Sequence, residues 1–196
     1  MNAIASHHTA ADWDGWLDDY QARYKAAFAP EHRPALRGFH QIAQAVRAAG
    51  AKLIFAGNGA SASIASHGRV DFTKQAKVRS IDFNEPNLIT AFSNDFGYEN
   101  WVARAIEHFA DPGDAVVLIS VSGRSPNIVK AAEYARSRGL KVVGFSGSAA
   151  DNPLRKLADV DFWLDSKAYN VVECVHMIWL TTVVDMVVGR AEYSVS

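Results

Sequence analysis

The sequence is poor in cysteine and in net charge. Its 196 residues contain one cysteine, Cys174, and 20 basic against 21 acidic side chains, which gives a formal net charge of −1. A single cysteine cannot build an internal disulfide framework, so a reducing compartment is favoured and we expect a cytoplasmic location. A near-neutral chain lacks the basic excess that binding to a phosphate backbone needs, so we expect no nucleic-acid partner.

Neither a secretory signal nor a membrane span is visible in the sequence. Met1 to Gly15 shows no basic start followed by an apolar stretch, which predicts that there is no signal peptide. The most apolar segment, Val171 to Gly189, contains Glu173, His176 and Asp185. Because ionisable groups are costly inside a bilayer, we interpret this segment as a buried helix that faces a site, and expect no membrane partner.

The hydrophobic pattern changes near Lys52. Before it, two stretches have helical spacing, Ala11–Ala29 and Glu31–Ala49. After it, short apolar runs alternate with helical segments; the runs are Leu53–Ala56, Val78–Phe83, Ala115–Val121, Val142–Phe145 and Asp161–Leu164, and the segments include Trp101–Phe109, Ile128–Arg138 and Val171–Val188. Buried strands that alternate with helices indicate a parallel sheet with right-handed crossovers. We predict one domain over residues 1–196, an α/β three-layer α/β/α sandwich preceded by a helical extension.

Two loops after predicted strands carry unusual chemistry. They are Gly57-Asn58-Gly59-Ala60-Ser61 and Ser120-Val121-Ser122-Gly123-Arg124-Ser125-Pro126-Asn127. Ligands in such sheets gather beyond the carboxyl ends of the strands. Glycines open the backbone to close turns, and a proline directly after Ser125 predicts a helix start. Backbone N–H groups and serine hydroxyls then form a cradle suited to phosphate.

Each loop, taken alone, is as compatible with a simple turn and helix cap as with a ligand-binding site. The sequence has no Gly-Lys-Ser/Thr ending of a Walker A loop, and no Gly-x-Gly-x-x-Gly spacing of a dinucleotide site. We therefore expect a sugar phosphate as the ligand and no nucleotide cofactor.

Several ionisable residues lie at helical spacings near these loops. His67 and Asp71 share a face of the helix that opens at Ser61, and could form an exposed pair or part of a metal or proton-transfer site. A carboxylate in the apolar helix at Glu173 needs a partner. His176 could take part in such a metal or proton-transfer site, or it could be a core histidine satisfied by hydrogen bonding.

The order and spacing of these motifs resemble the sugar isomerase (SIS) domains of the phosphoheptose isomerase type. The resemblance covers nearly the whole chain and rests on the glycine loop with His67, the stretch Ser93–Glu99 and the serine loop. It implies an isomerase that interconverts sedoheptulose 7-phosphate and D-glycero-D-manno-heptose 7-phosphate, or a related sugar phosphate, through an enediol. It also implies a homotetramer whose sites draw residues from neighbouring subunits.

By this resemblance each site residue receives a role. We predict catalysis by Asp71 and Glu173, with Asp71 as the base, and one divalent metal, zinc in several members, at His67, Asp71 and Glu173. Substrate binding is predicted for Asn58, Gly59, Ser61, Asp95, Ser120, Ser122, Ser125 and Asn170.

The chain departs from the family pattern at four positions. Asp71 stands where the family has glutamate, Glu173 where it has glutamine, and Arg124 where asparagine is usual. Thr181 stands where the family has its catalytic histidine, and threonine is no general acid near neutral pH. The alternative to an isomerase with an altered acid–base set is therefore a domain that binds a sugar phosphate or a protein as a regulator, without the chemistry.

Overall fold

A parallel sheet of five strands, covered by helices on both faces, organises the computed structural model, which describes residues 12–194. The strands are β1 Leu53–Gly57, β2 Ser80–Asp82, β3 Ala115–Ile119, β4 Lys141–Gly147 and β5 Val160–Leu164. The helices are α1 Trp13–Ala22, α2 Arg33–Ala48, α3 Ala60–Lys74, α4 Pro86–Phe96, α5 Trp101–Phe109, α6 Pro126–Ser137, α7 Pro153–Leu157 and α8 Tyr169–Val188. This arrangement confirms the predicted α/β class.

The strands lie in the order β2-β1-β3-β4-β5, and every neighbouring pair is parallel. In register, Leu53 lies opposite Ser80 on one side and Ala115 on the other. All residues of β1 and β3 are buried, which explains why these strands read as continuous apolar runs without polar alternation.

Successive strand residues point to opposite faces and so supply two cores. One core lies under α2, α3 and α8 and contains Phe39, Phe145 and Trp179. The other lies under α5, α6 and α7 and contains Leu118 and Ile128. Helices α3 and α6 therefore pack on opposite faces of the sheet, although each follows one of two adjacent strands.

Helix α8 is long and apolar enough, by length and composition, to cross a membrane. Half of its apolar window is buried inside the protein, where Val175, Trp179 and Val183 pack in the first core. The core helix of a globular domain passes the same test, so this property is weak evidence for a span.

The predicted first helix is too long. Ala11 and the rest of residues 1–11, on which the signal-peptide prediction also depends, lie outside the described residues. The α-helix ends at Ala22 and continues as 3-10 turns at Arg23–Phe28. The indole Nε1 of Trp179 donates to the carbonyl of Ala27 at 2.8 Å, and this buried contact ties the tighter segment to α8. The second helix begins at Arg33 because a 3-10 turn occupies Pro30–His32.

The predicted strand Val78–Phe83 is also too long, since only Ser80–Asp82 pair with β1. The N–H of Val78 donates to the carbonyl of Phe72 and closes the end of α3 instead of joining the sheet. Helix α4 was not predicted; its N-cap is Glu85, whose carboxylate accepts from two backbone N–H groups of the first turn.

A buried ion-pair network holds the amino ends of β1 and β3 together. The ammonium of Lys52 lies 2.6 Å from carboxylate oxygens of both Asp111 and Asp114, and the side chain of Asp114 is completely buried. Asp114 also accepts the backbone N–H of Lys52 and that of Asp111, each at 2.8 Å. The buried negative charge therefore depends on Lys52 for compensation.

We predict that Lys52→Met lowers the free energy of unfolding by about 3 kcal/mol, because it leaves the buried Asp114 carboxylate unpaired. The matched control is Lys141→Met, which removes an ammonium on a side chain that is 63% exposed and should cost less than about 1 kcal/mol. Urea unfolding of both variants measures the difference, and equal losses would contradict this role of Lys52.

Candidate active site

The carboxyl ends of β1 and β3 form the point at which the strand order reverses. From β1 the chain moves outward to β2 at one edge, whereas from β3 it proceeds towards β4 and β5 at the other. Because α3 and α6 leave to opposite faces, a crevice opens between the two loops that follow β1 and β3. This is the position at which open α/β sheets bind their ligands.

A cavity of about 130 Å³ occupies this crevice. Its lining joins residues of both loops, the end of β3 and the first turns of α8: Asn58, Ser61, Ile119, Ser120, Val121, Ser122, Ser125, Tyr169 and Glu173. The structure thus brings together six residues that the sequence predicted for the site. Tyr169 was missed, although it lies four residues before Glu173 and hence on the same helical face.

The serine loop is held in shape by short contacts. The hydroxyls of Ser120 and Ser125 share a hydrogen bond of 3.0 Å, and the Ser122 hydroxyl accepts the N–H of Arg124 at 3.2 Å. Gly123 has φ +62°, and a Cβ there would collide with the side-chain oxygen of Asn152. The position therefore requires glycine. Asn152, which packs against it, is the N-cap of α7.

The glycine loop folds back on the first turn of α3. A Cβ on Gly57 would lie 2.6 Å from the carbonyl of Ser61, so only glycine permits this approach. The N–H of Ser61 donates to the carbonyl of Asn58 at 3.0 Å, and Ser61 is buried. Gly59, the predicted binding residue between them, has φ +57° and is exposed.

A reciprocal amide pair joins the two loops. The Nδ2 of Asn58 donates to the Oδ1 of Asn127 at 2.9 Å, and the Nδ2 of Asn127 donates back to the Oδ1 of Asn58 at 2.9 Å. The hydroxyl of Tyr98 donates to the same Asn58 oxygen at 3.2 Å. In the sequence, the contact of Asn127 with Asn58 is indicated only by the presence of a polar residue in the first turn of α6, on a helix face that is otherwise apolar.

Among the described residues, Glu173 is the one carboxylate that lines the cavity. The other predicted catalytic carboxylate, Asp71, instead pairs with His67 on α3, with 3.0 Å between Nε2 and Oδ2, and the His67 side chain is half exposed. Within residues 12–194, no group of three or more His, Cys, Asp or Glu side chains is arranged to hold a metal ion. Among these residues, His67, Asp71 and Glu173 of one protomer therefore do not form such a group.

Three further predicted or unusual positions lie away from the cavity lining. Asp95 is exposed at the end of α4 and accepts from the Asn94 amide at 2.9 Å, and Asn170 is exposed in the first turn of α8. The guanidinium of Arg124 turns to Asp151 at 2.8 Å, in an exposed pair.

The hydroxyl of Thr181 is bonded within its own helix. It donates to the backbone carbonyls of Met177 at 2.9 Å and Ile178 at 3.2 Å.

Comparison with known proteins agrees with this geometry. A family model described as SIS domain matches residues 15–147, and a second SIS domain model matches residues 105–191. The phosphoheptose isomerase of Fusobacterium nucleatum is 29% identical over 190 residues, which is 94% of this chain and 93% of that protein. That of Crocosphaera subtropica is 31% identical over 169 residues, 83% of this chain and 86% of the relative.

Among solved structures, a phosphoheptose isomerase from Francisella tularensis superposes with a TM-score of 0.83 at 22% identity, covering 92% of this chain and 98% of that one. The chain belongs to the SIS domain family. Within it, the similarity is to the phosphoheptose isomerase type.

His176 lies on α8, three residues after Glu173, and is completely buried. Its Nε2 donates to the carbonyl of Ser146 at 3.1 Å, and its Nδ1 has no hydrogen-bond partner among the described residues. The structure therefore confirms a core histidine. Burial lowers the pKa of His176 to about 4, against the smaller opposing effect of the hydrogen bond to Ser146.

We predict that acid weakens the fold through His176. The unfolded chain takes up this proton near pH 6.5 and the folded chain only near pH 4, so stability present above pH 6.5 is lost as the pH falls between these values. The loss from pH 7 to pH 5 should be about 2 kcal/mol larger in the wild type than in His176→Gln. Urea unfolding at both pH values measures it.

The control for this experiment is His108→Gln, which alters an exposed histidine and should keep the wild-type loss. An unchanged acid sensitivity in His176→Gln would contradict the assignment.

Proposed function

We propose that this protein is an aldose–ketose isomerase that interconverts sedoheptulose 7-phosphate and D-glycero-D-manno-heptose 7-phosphate. The observation that carries the proposal is that one cavity joins a cradle of serine hydroxyls to a single carboxylate, Glu173. The names of its relatives, phosphoheptose isomerases matched over most of their length, support the same reaction. A cytoplasmic location is part of the proposal.

The side chains that line the cavity support one orientation of the substrate. Ser120, Ser122 and Ser125 offer neutral hydroxyl donors, and the first turn of α6 adds the favourable end of a helix dipole. The carboxylate of Glu173 would repel a phosphate group, so the phosphate belongs at the serines. The reacting end of the sugar then lies towards Glu173.

Within the protomer we assign the role of base to Glu173 instead of the predicted Asp71, because Glu173 lines the cavity and Asp71 pairs with His67 on α3. From the ketose it removes a proton from C1, while the carbonyl oxygen at C2 gains a proton, and the result is an enediol. The same carboxylic acid returns its proton to C2 as the C1 hydroxyl loses its own, which yields the aldose. General base catalysis of this kind contributes about 10²–10⁴ in rate.

The proton donor to the carbonyl oxygen must come from elsewhere, since Thr181 is bonded to its own helix. We propose that the His67–Asp71 pair approaches the cavity from a neighbouring subunit of a homotetramer. The pair lies on an outward face of α3, and exposed apolar side chains mark further contact surface: Trp13 at 51%, Leu17 at 43% and Phe28 at 68% exposure. Zinc stays a prediction of the family resemblance, and no step here uses it.

We predict that the purified protein converts sedoheptulose 7-phosphate to the aldose, and that Glu173→Gln lowers kcat by about a hundredfold or more because the amide accepts no proton. The control is Glu133→Gln, an exposed residue of α6, which should keep wild-type activity. A coupled assay for the aldose phosphate measures both.

Saturable binding of sedoheptulose 7-phosphate by the wild type without turnover would contradict the isomerase. That result would favour the alternative, a domain that only senses a sugar phosphate. Full turnover by Glu173→Gln would remove Glu173 from the role of base.

We predict complementation between two inactive variants. Asp71→Asn and Glu173→Gln homomers should each be impaired, whereas mixed oligomers from co-expressed chains should recover activity, because some sites then combine an intact Glu173 with an intact Asp71 of a neighbour. Turnover of separately purified and co-expressed proteins measures the recovery. A mixture as inactive as its parents would place both carboxylates in one protomer.

A further inference from the structure

We infer that Asn127 and Tyr98 are positioning residues that orient the Asn58 amide, so that its free N–H faces the cavity. The inference rests on the proposed function, because it specifies how the same cavity recognises a phosphorylated substrate. Asn127 and Tyr98 would influence the substrate only through their hydrogen bonds to Asn58.

The hydrogen-bonding capacity of Asn58 leaves one orientation towards the ligand. Its oxygen has two lone pairs, which accept from the Asn127 amide and the Tyr98 hydroxyl. Its nitrogen has two hydrogens, of which one is donated to Asn127. Because Asn58 lines the cavity, the remaining N–H is the group available to a ligand. It is a donor and therefore suits a phosphate or hydroxyl oxygen.

Asn127 is well placed to impose this orientation. It is 1% exposed and lies in the first turn of α6, directly after Pro126, whose ring restricts the backbone. The reciprocal pair also joins the loop after β1 to the loop after β3. A change in Asn127 should therefore be felt at Asn58, on the other loop.

Tyr98 is the second hydrogen-bond partner of the Asn58 oxygen. It lies between α4 and α5, and its side chain is 56% exposed. The same turn is anchored to α6, since the ammonium of Lys130 donates to the Asn100 side chain at 2.8 Å and lies 3.7 Å from Glu99. Asn127 lies on α6, and the turn that carries Tyr98 is bonded to α6. Both partners of the Asn58 oxygen are therefore held by the same helix.

Without these partners the amide can turn and present its oxygen to the cavity. An amide oxygen facing a phosphate repels it, because both groups are acceptors. Orientation would then affect affinity for the anion while leaving the Glu173 carboxylate in place. A weaker substrate affinity with a nearly unchanged kcat is the expected signature.

A double-mutant cycle tests the inference. Asn127→Ala should weaken the binding of inorganic phosphate about tenfold, and Asn58→Ala should do the same or more. If Asn127 acts through Asn58, the double variant should bind within about threefold of Asn58→Ala alone. Independent effects that multiply to about a hundredfold would overturn the inference. Calorimetry measures the dissociation constants.

Tyr98→Phe provides a second cycle in which folding is not at issue, because only an exposed hydroxyl is removed. It should weaken phosphate binding about threefold in the wild type and have no effect in Asn58→Ala. The control is Asn87→Ala, an exposed amide of α4 that bonds to Glu85 and should bind phosphate like the wild type. An equal effect of Tyr98→Phe in both backgrounds would contradict the inference.

The same variants separate this inference from the proposed function. With sedoheptulose 7-phosphate as substrate, Asn127→Ala should raise KM about tenfold and change kcat by less than about threefold. A wild type without turnover would refute the isomerase, yet the phosphate-binding cycles would still decide the role of Asn127. A loss of kcat with unchanged KM would overturn that role.

Discussion

The reversal of strand order between β1 and β3 is the constraint on which the site depends. Two adjacent strands deliver their chains to opposite faces of the sheet, and the loops that follow them are left facing each other across a crevice. The glycines then permit backbone approaches closed to other residues, at Gly57 against Ser61 and at Gly123 against Asn152. The strand order therefore determines where the cavity forms, and the residues of the two loops determine its shape and lining.

Electrostatics gives the cavity its polarity. Serine hydroxyls and the Asn58 side chain line the cavity together with the Glu173 carboxylate, so the orientation that we propose places the phosphate at the serines and away from Glu173. The overall charge of −1 conceals this local arrangement. In this proposal the two loops bind the phosphate, and α8 carries the base.

Much of the fold could be predicted because its strands are buried on both faces, and continuous apolar runs such as Leu53–Ala56 mark them clearly. Predictions failed where a tertiary contact overrides local pattern, as at Arg23–Phe28, which is tied to α8 through Trp179. In the site, loop residues were predictable from their motifs. Asn127 belongs to the predicted serine loop, but its role could not be predicted because it depends on a partner 69 positions away.

The most direct measurement is a crystal structure of the protein with sedoheptulose 7-phosphate bound. The account predicts phosphate oxygens within hydrogen-bond distance of the Ser120, Ser122 and Ser125 hydroxyls and of the Asn58 amide nitrogen, with C1 and C2 of the sugar beside the Glu173 carboxylate. A phosphate bound outside the crevice between the loops after β1 and β3, or a sugar directed away from Glu173, would contradict it.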